Sequence, residues 1–91
     1  MPDDLEIRID PHTLERSVER GARVEEIEEV VRTGTPVTAK YGRSARTKTY
    51  EFRRLRLGKY YEHKRIVVIY TIEGVTAVTV TVHVFYGRWE D

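Results

Sequence analysis

The fold is indicated most clearly by a stretch near the end of the chain, Val78-Thr79-Val80-Thr81-Val82-His83-Val84-Phe85. Its valines recur at every second position, a period of two that is typical of a strand with one buried face. We predict that the valine row faces the core and that the other four side chains face away from it. Residues 66–72 are apolar at every position but one, as expected of a central strand. Residues 47–57 form the strand before it, with Tyr50 and Phe52 on the core face.

Glycines mark the turns between these strands. Glu73-Gly74 and Gly58-Lys59 each separate two β-rich segments. Within the strand at residues 47–57 the apolar positions change parity at Arg53-Arg54, and a β-bulge produces such a change of face. Residues 37–46, which precede that strand, are predicted to be a basic loop.

Two short helices are predicted ahead of the sheet. Asp10-Pro11 offers an N-cap and a first-turn proline, and Arg20-Gly21 offers a C-terminal glycine. Leu14 and Val18, four residues apart, give this first helix one apolar stripe. The second helix covers residues 24–33 and has four glutamates on its outer face.

The order of the elements predicts the fold class. Residues 5–9 alternate between apolar and charged side chains, as in a short half-buried strand. We therefore predict one domain, residues 1–91, with an α+β fold in the order β-α-α-β-β-β. Its antiparallel sheet has about four strands, and the two helices pack on one face.

Composition excludes several kinds of site. The chain has no cysteine, which removes thiol chemistry and disulfides, and its three histidines lack metal-ligand spacing. We expect no metal and no cofactor. The first four residues do not resemble a secretion signal, and no apolar run approaches the ~20 residues that cross a bilayer. We expect a soluble, cytoplasmic protein without a membrane partner.

Charge is distributed unevenly along the chain. Residues 1–34 carry ten acids and five bases, whereas residues 40–65 carry ten bases and two acids. Such asymmetry favours an anionic partner for the middle segment. The alternative is that the basic strand docks on the protein's own acidic helices.

If the strands pair as predicted, one face of the sheet displays the groups that metal-free RNA cleavage needs. Glu51 or His83 would take the proton of the ribose 2′-OH, Arg53 and Arg65 would hold the phosphate, and His83 would protonate the leaving oxygen. Tyr86 would assist. The residues predicted to bind nucleic acid are Lys48, Arg53, Arg54, Arg56, Lys59 and Arg88.

Each assignment has a structural alternative. Glu51 among basic neighbours also suits a salt bridge, and His83 suits a hydrogen-bonded structural role. The arginine cluster also suits a charged strand edge that prevents aggregation. Tyr60-Tyr61 and Trp89 would stack on bases or bury their rings against the sheet.

The pattern H-x3-R-x3-R-G at His12–Gly21, followed by residues 24–34, resembles the opening of the domain-of-unknown-function family DUF 4258. Residues 59–62 and 84–90 resemble a subgroup of small bacterial proteins. The layout is similar to that of BrnT toxins and, more distantly, of the RelE/ParE superfamily of toxin–antitoxin modules. In RelE-like enzymes, places comparable to those of Glu51, Arg53, Arg65, His83 and Tyr86 hold the functional residues.

The resemblance implies a toxin-like protein that acts on RNA as a metal-independent endoribonuclease and is silenced by a cognate antitoxin. Two other functions stay open. One is a non-catalytic module, forming a homodimer, that binds nucleic acid or protein through the same basic strand. The other is a ParE-like gyrase inhibitor.

Overall fold

The computed structural model describes residues 5–90. Residues 1–4, on which the expectation about a secretion signal rests, and Asp91 lie outside this part. The elements in chain order are β1 (Glu6–Arg8), α1 (Pro11–Arg20), α2 (Val24–Thr33), β2 (Thr35–Val37), β3 (Ser44–Arg56), β4 (Lys59–Glu73) and β5 (Thr76–Gly87).

The α+β prediction is confirmed, since both helices pack on one face of one sheet. α1 lies over β5, and α2 lies over β4 and β3. Their buried side chains meet those of the sheet in a single apolar core: Leu5, Ala22, Ile27, Val30, Val31, Ile66, Val68, Tyr70, Ala77 and Val82. Neither helix in the described part of the chain has the length and apolar character that crossing a bilayer requires.

The sheet differs in detail from the prediction of about four antiparallel strands. It has five strands in the order β1-β5-β4-β3-β2, and β1 pairs with β5 in parallel. β2, which overlaps the predicted basic loop, pairs with β3. The two helices carry the chain across the sheet before β3 begins, so β1 is left at the far edge beside β5. A contact between the two ends of the chain leaves no local sequence pattern.

The ends of α1 form as predicted. The Asp10 carboxylate accepts a hydrogen bond from the His12 amide at 3.0 Å, and Pro11 occupies the first turn. Gly21 ends the helix in the left-handed conformation, φ 87°, and its amide donates to the Ser17 carbonyl. Glycine suits this position because it lacks the Cβ that makes the conformation costly.

The apolar stripe of α1, however, does not face the sheet. Leu14 is 44% exposed and Val18 is 78% exposed, whereas Thr13 and Ser17 are buried. The small side chains of Thr13 and Ser17 let the helix backbone lie close to β5. The amide of Asp10 also fixes the start of α1, because it donates to the Thr79 hydroxyl at 2.9 Å. Anchored ends, rather than the apolar stripe, set the rotation of this helix.

The valine row of β5 is divided between the two faces of the sheet. The register shifts between Ile69 and Tyr70, which leaves Val80 as an extra residue on β5. Before this irregularity Ala77 and Thr79 are buried on the helix side, and after it Val82 takes the buried position. The prediction that every valine of this strand faces the core is therefore wrong. A bulge shifts the alternation by one residue without any change in the sequence pattern.

The β3–β4 hairpin has the predicted bulge. The register shifts between Glu51 and Arg54, and Arg53 has a φ of 48°. The turn is formed by Leu57 and Gly58, one residue earlier than predicted, and both have positive φ. Two positive φ values in a two-residue turn match the right-handed twist of a hairpin.

Candidate nucleic-acid interface

The far end of the β3–β4 hairpin extends beyond the rest of the sheet. β5 stops at Gly87, opposite His63, and β2 covers only residues 45–47 of β3. Residues 52–62 therefore form a two-stranded ribbon. This ribbon holds most of the basic residues that the sequence singles out.

An open pocket of about 660 Å³ lies between the base of this ribbon and the helices. It is lined by the end of α1, the start of α2 and parts of β3, β4 and β5, and we call it the basic–aromatic pocket. Its lining residues are Gly21, Arg23, Glu26, Tyr50, Glu51, Phe52, Arg54, Leu55, Arg56, Lys64 and Tyr86.

Cationic groups lie over aromatic rings around this pocket. The Cζ atom of Arg56 is 4.7 Å from the centre of the Tyr86 ring, and that of Arg54 is 5.1 Å from the centre of the Phe52 ring. The Phe52 and Tyr86 rings meet edge to face at 5.1 Å. These contacts hold the guanidinium groups at the pocket wall without neutralising their charge.

A smaller pocket of about 420 Å³ shares Tyr86 as a lining residue with the first one. There the Lys59 ammonium lies 5.6 Å from the centre of the Tyr61 ring, and the Tyr61 and Tyr86 rings are 5.5 Å apart. Arg88 lines the same pocket. Its guanidinium is 75% exposed and 3.8 Å from Glu90.

The floor of the basic–aromatic pocket is a buried ion pair. The Lys64 ammonium donates to the Glu26 carboxylate at 2.8 Å and to the Gly21 carbonyl at 2.9 Å. The side chains of Lys64 and Glu26 are only 10% and 7% exposed. Glu26 also accepts from the Arg23 amide at 2.9 Å, which caps α2. Each charge is thus matched by several polar contacts, as a buried charge requires.

Sequence reasoning missed the role of this pair, although a signal was present. The alternation of Ile66, Val68 and Tyr70 on the core face of β4 extends backward to Lys64. A lysine in phase with a buried apolar row needs a partner. The pattern does not show that Glu26 is that partner.

Three side chains of the sheet donate to the last carbonyls of α1. Arg56 donates to Glu19 at 2.9 Å, Tyr86 to Arg20 at 2.6 Å, and Lys64 to Gly21 at 2.9 Å. The carbonyls at the end of a helix otherwise lack partners, and cations interact favourably with them. Arg56, Tyr86 and Lys64 therefore position α1 as well as line the pocket.

Close approach at this helix end depends on Gly21. A Cβ atom at Gly21 would lie 2.3 Å from the Tyr86 hydroxyl oxygen and 3.0 Å from a guanidinium nitrogen of Arg56. The glycine of the R-G pattern is thus required both by its conformation and by the Tyr86 side chain beside it.

Two of the predicted catalytic residues, Glu51 and Tyr86, line the basic–aromatic pocket. The Glu51 carboxylate is 3.3 Å from the Arg53 guanidinium, which also donates to Glu62 at 3.1 Å. Burial raises the pKa of Tyr86, and the nearby Arg56 partly offsets that rise. The Tyr86 phenol therefore stays protonated at neutral pH.

The other two predicted catalytic residues lie elsewhere. Arg65 donates to the Thr49 hydroxyl at 2.8 Å, and its Cζ lies 4.7 Å from the centre of the Trp89 ring. His83 is half-buried, and its Nδ1 is 3.3 Å from the Arg20 guanidinium. Burial lowers the pKa of His83, and the charge of Arg20 lowers it further.

The strand register shows how far His83 is from Glu51. Glu51 lies opposite His63 on β4, and His83 lies opposite Val67. Four residues of β4 separate those two positions, about 13 Å at the usual rise per residue. Glu51 and Tyr86 both line one pocket, although the register puts Glu51 on the sheet face of His63 and Arg65 and Tyr86 on the helix face. His83 lies outside this pocket.

The start of β3 docks on the acidic helix α2, in line with the alternative interpretation of the charge asymmetry. The Lys48 ammonium lies 3.0 Å from the Thr33 hydroxyl and 3.5 Å from Glu29. Tyr50 donates to Glu29 at 2.5 Å. That hydrogen bond lowers the pKa of Glu29, while burial and then the same bond raise the pKa of Tyr50.

Exposed bases of the ribbon include Arg53, Arg54 and Lys59. Between residues 5 and 90, neither Arg54 nor Lys59 forms an ion pair. Over the same range, no group of three or more His, Cys, Asp or Glu side chains could hold a metal ion.

The chain was compared with known protein families, curated proteins and solved structures. Residues 9–84 match the family model described as Domain of unknown function (DUF4258). No curated protein and no solved structure matches the chain. The matched residues begin just after β1 and end within β5, and they include both helices and every lining residue of the basic–aromatic pocket except Tyr86. The chain belongs to the DUF4258 family.

Proposed function

We propose that this protein is a toxin-like protein that acts on RNA, and that it binds single-stranded RNA along the basic–aromatic pocket. The observation that carries the proposal is the row of three cations, Arg54, Arg56 and Lys59, each lying over an aromatic ring. Single-stranded nucleic acid is bound by this combination, because cations hold the phosphates while rings and guanidinium planes stack on bases.

The local carboxylates do not cancel this charge. Glu26 is bound by Lys64 beneath the pocket, and Glu51 and Glu62 both lie against Arg53. The surface therefore presents Arg54 and Lys59 to an approaching anion, together with Arg88, which is 75% exposed and pairs only with the exposed Glu90 in the described residues. A polyanion gains from such a surface mainly by releasing its counterions, so its affinity depends steeply on salt.

The proposal is tested by measuring RNA binding as a function of salt concentration. Arg54→Ala and Lys59→Ala should each weaken the binding of a single-stranded oligoribonucleotide and lower the slope of log K against log salt by about 0.7. Arg8→Ala is the matched control, because the Arg8 side chain is 69% exposed on β1, at the far edge of the sheet. An equal loss of RNA affinity at all three positions would show that RNA does not bind specifically at the pocket. No binding by the unmodified protein would refute the proposal.

RNA cleavage is a second candidate function, favoured by the presence of Glu51 and Tyr86 in the same pocket. The Glu51 carboxylate would accept the 2′-OH proton, and Arg54 would stabilise the charge on the phosphate together with the part of the Arg56 guanidinium not bound to Glu19. The Tyr86 phenol would exchange its hydrogen bond to the Arg20 carbonyl for one to the leaving 5′ oxygen, which it would protonate. A cognate antitoxin would silence such an enzyme by covering the pocket.

Cleavage is tested with a chelator present and with Glu51→Gln as the variant. Glu51→Gln should lose about 10²–10⁴-fold in cleavage rate, the usual contribution of a general base, and should still bind RNA. His83→Gln, which alters a residue outside the pocket, should retain the rate. Binding without cleavage would leave the non-catalytic module as the function, and growth arrest without RNA binding would favour the gyrase inhibitor.

A further inference from the structure

One edge of the sheet is only partly covered. β1 pairs with Thr76–Val78 of β5, and beyond that point no strand of residues 5–90 lies on the outer side of β5. The contacts on this side are few. The Asp10 amide donates to the Thr79 hydroxyl, and the Arg20 guanidinium donates to the Val82 carbonyl at 2.6 Å.

The uncovered part of β5 lacks the features that usually protect an edge strand. Exposed edges carry charged residues or proline, or they are very short. The opposite edge, β2, follows this rule, because it has three residues and contains Pro36. β5 is twelve residues long and has no Lys, Arg, Asp, Glu or Pro between Thr76 and Gly87, in a chain of which 34% is charged.

The backbone groups that face outward can be assigned. The Val82 carbonyl points away from β4, since Arg20 of α1 reaches it there. Backbone polar groups alternate in direction along a strand, so Val84 and Tyr86 also direct their N–H and C=O groups outward. They form a ready template for another strand.

We propose that a second copy of this chain pairs with β5 in antiparallel fashion, about a two-fold axis at Val84. In this register Val84 lies opposite Val84 of the second copy, His83 opposite Phe85, and Val82 opposite Tyr86. No like-charged strand residues meet, because β5 contains no Lys, Arg, Asp or Glu, and apolar and aromatic side chains pair across the axis. The Arg20 guanidinium of each copy stays at its own Val82 carbonyl. A strand that pairs with its own copy needs no charge pattern to select its partner, and β5 has none.

The pairing would join the two sheets into one of ten strands. Val82 keeps its contact with Arg20, because a carbonyl oxygen can accept two hydrogen bonds. Tyr86 lies on the paired strand and also lines the basic–aromatic pocket. The dimer therefore places two such pockets side by side across the axis.

Sedimentation of the full chain over a range of concentrations, with charge variants at two exposed positions, tests this dimer. Phe85→Arg puts two guanidinium groups on one face near the axis, so we expect dimer affinity to fall by at least about tenfold. Ile72→Arg is the matched control. Ile72 and Phe85 are 51% and 52% exposed, and Ile72 lies opposite Ala77, away from the proposed interface.

A cross-link checks the register independently. The chain contains no cysteine, so in the double variant His83→Cys/Phe85→Cys every covalent dimer arises from the introduced thiols. Because those positions lie opposite each other across the axis, oxidation should convert most of the protein into a covalent dimer. A monomer at every concentration, or a dimer that Phe85→Arg leaves intact, would overturn the proposal. Circular dichroism of each variant separates loss of pairing from loss of folding.

Discussion

Removing one member of the Lys64–Glu26 pair should destabilise the protein severely. The two charges lie 2.8 Å apart, with side chains 10% and 7% exposed. A Glu26→Leu variant leaves the Lys64 ammonium with the Gly21 carbonyl alone. Removing one partner of a buried ion pair costs about 3–5 kcal/mol, because the remaining charge stays desolvated.

The single substitutions Lys64→Met and Glu26→Leu should lower the free energy of unfolding by different amounts. After Lys64→Met the Glu26 carboxylate keeps the Arg23 amide at 2.9 Å and the Arg23 guanidinium at 3.7 Å. We expect about 3 kcal/mol for Lys64→Met and about 5 kcal/mol for Glu26→Leu, the lower and upper ends of the usual range. A domain of this length has a total stability of about 5–14 kcal/mol, so Glu26→Leu consumes a large part of it.

Urea denaturation followed by circular dichroism measures these differences. The double variant Lys64→Met/Glu26→Leu should recover to within about 1–2 kcal/mol of the unmodified protein, because two apolar side chains can replace a buried pair. The control is Glu19→Gln. It breaks the Arg16–Glu19 pair, which has the same 2.8 Å separation but side chains 35% and 51% exposed, and should cost less than about 1 kcal/mol. Single substitutions at Lys64 and Glu26 that cost no more than Glu19→Gln would refute the reasoning.

Two further predictions concern stability. Gly21→Ala should lower the free energy of unfolding by at least about 2 kcal/mol, because it combines strain at positive φ with a Cβ 2.3 Å from the Tyr86 hydroxyl. Gly58→Ala should lower it by only about 1 kcal/mol, because its Cβ meets open space. Equal losses of stability in thermal unfolding would contradict this. The pKa of His83 is lowered in the folded protein, so the unfolded chain binds a proton first as the pH falls below about 6.5, and stability should decrease toward the folded pKa. His83→Gln should flatten this part of the profile, and an NMR titration of His83 with a pKa above 6.5 would contradict the prediction.

Local sequence patterns were sufficient to predict features whose geometry depends only on residues within one helix or strand. Asp10-Pro11 and Gly21 predicted the ends of α1, and the parity change at Arg53-Arg54 predicted the β3 bulge. They failed to predict which face of a helix is buried, because that depends on packing against the sheet. Leu14 and Val18 form the better apolar stripe, yet Thr13 and Ser17 are buried because they let α1 approach β5.

The candidate site shows the same division. The sequence singled out Arg54, Arg56 and Lys59 as nucleic-acid contacts, and the structure places all three over aromatic rings, the two arginines at one pocket and Lys59 at the pocket beside it. It also predicted that Glu51 and His83 lie on one sheet face, with Arg65 on either face; the register places all three on the same face, but Glu51 and His83 lie opposite β4 residues four positions apart. That register depends on bulges and turns whose effects accumulate along two strands.

Composition and periodicity by themselves determined the α+β class, the two helices, the long hairpin and the basic segment, because each follows from interactions between residues close in the chain. Only the tertiary structure decided that β1 joins β5, that Lys64 meets Glu26, and that Tyr86 reaches the end of α1. These contacts join residues 38 to 70 positions apart. Their geometry depends on how the helices lie across the sheet, and no local pattern encodes it.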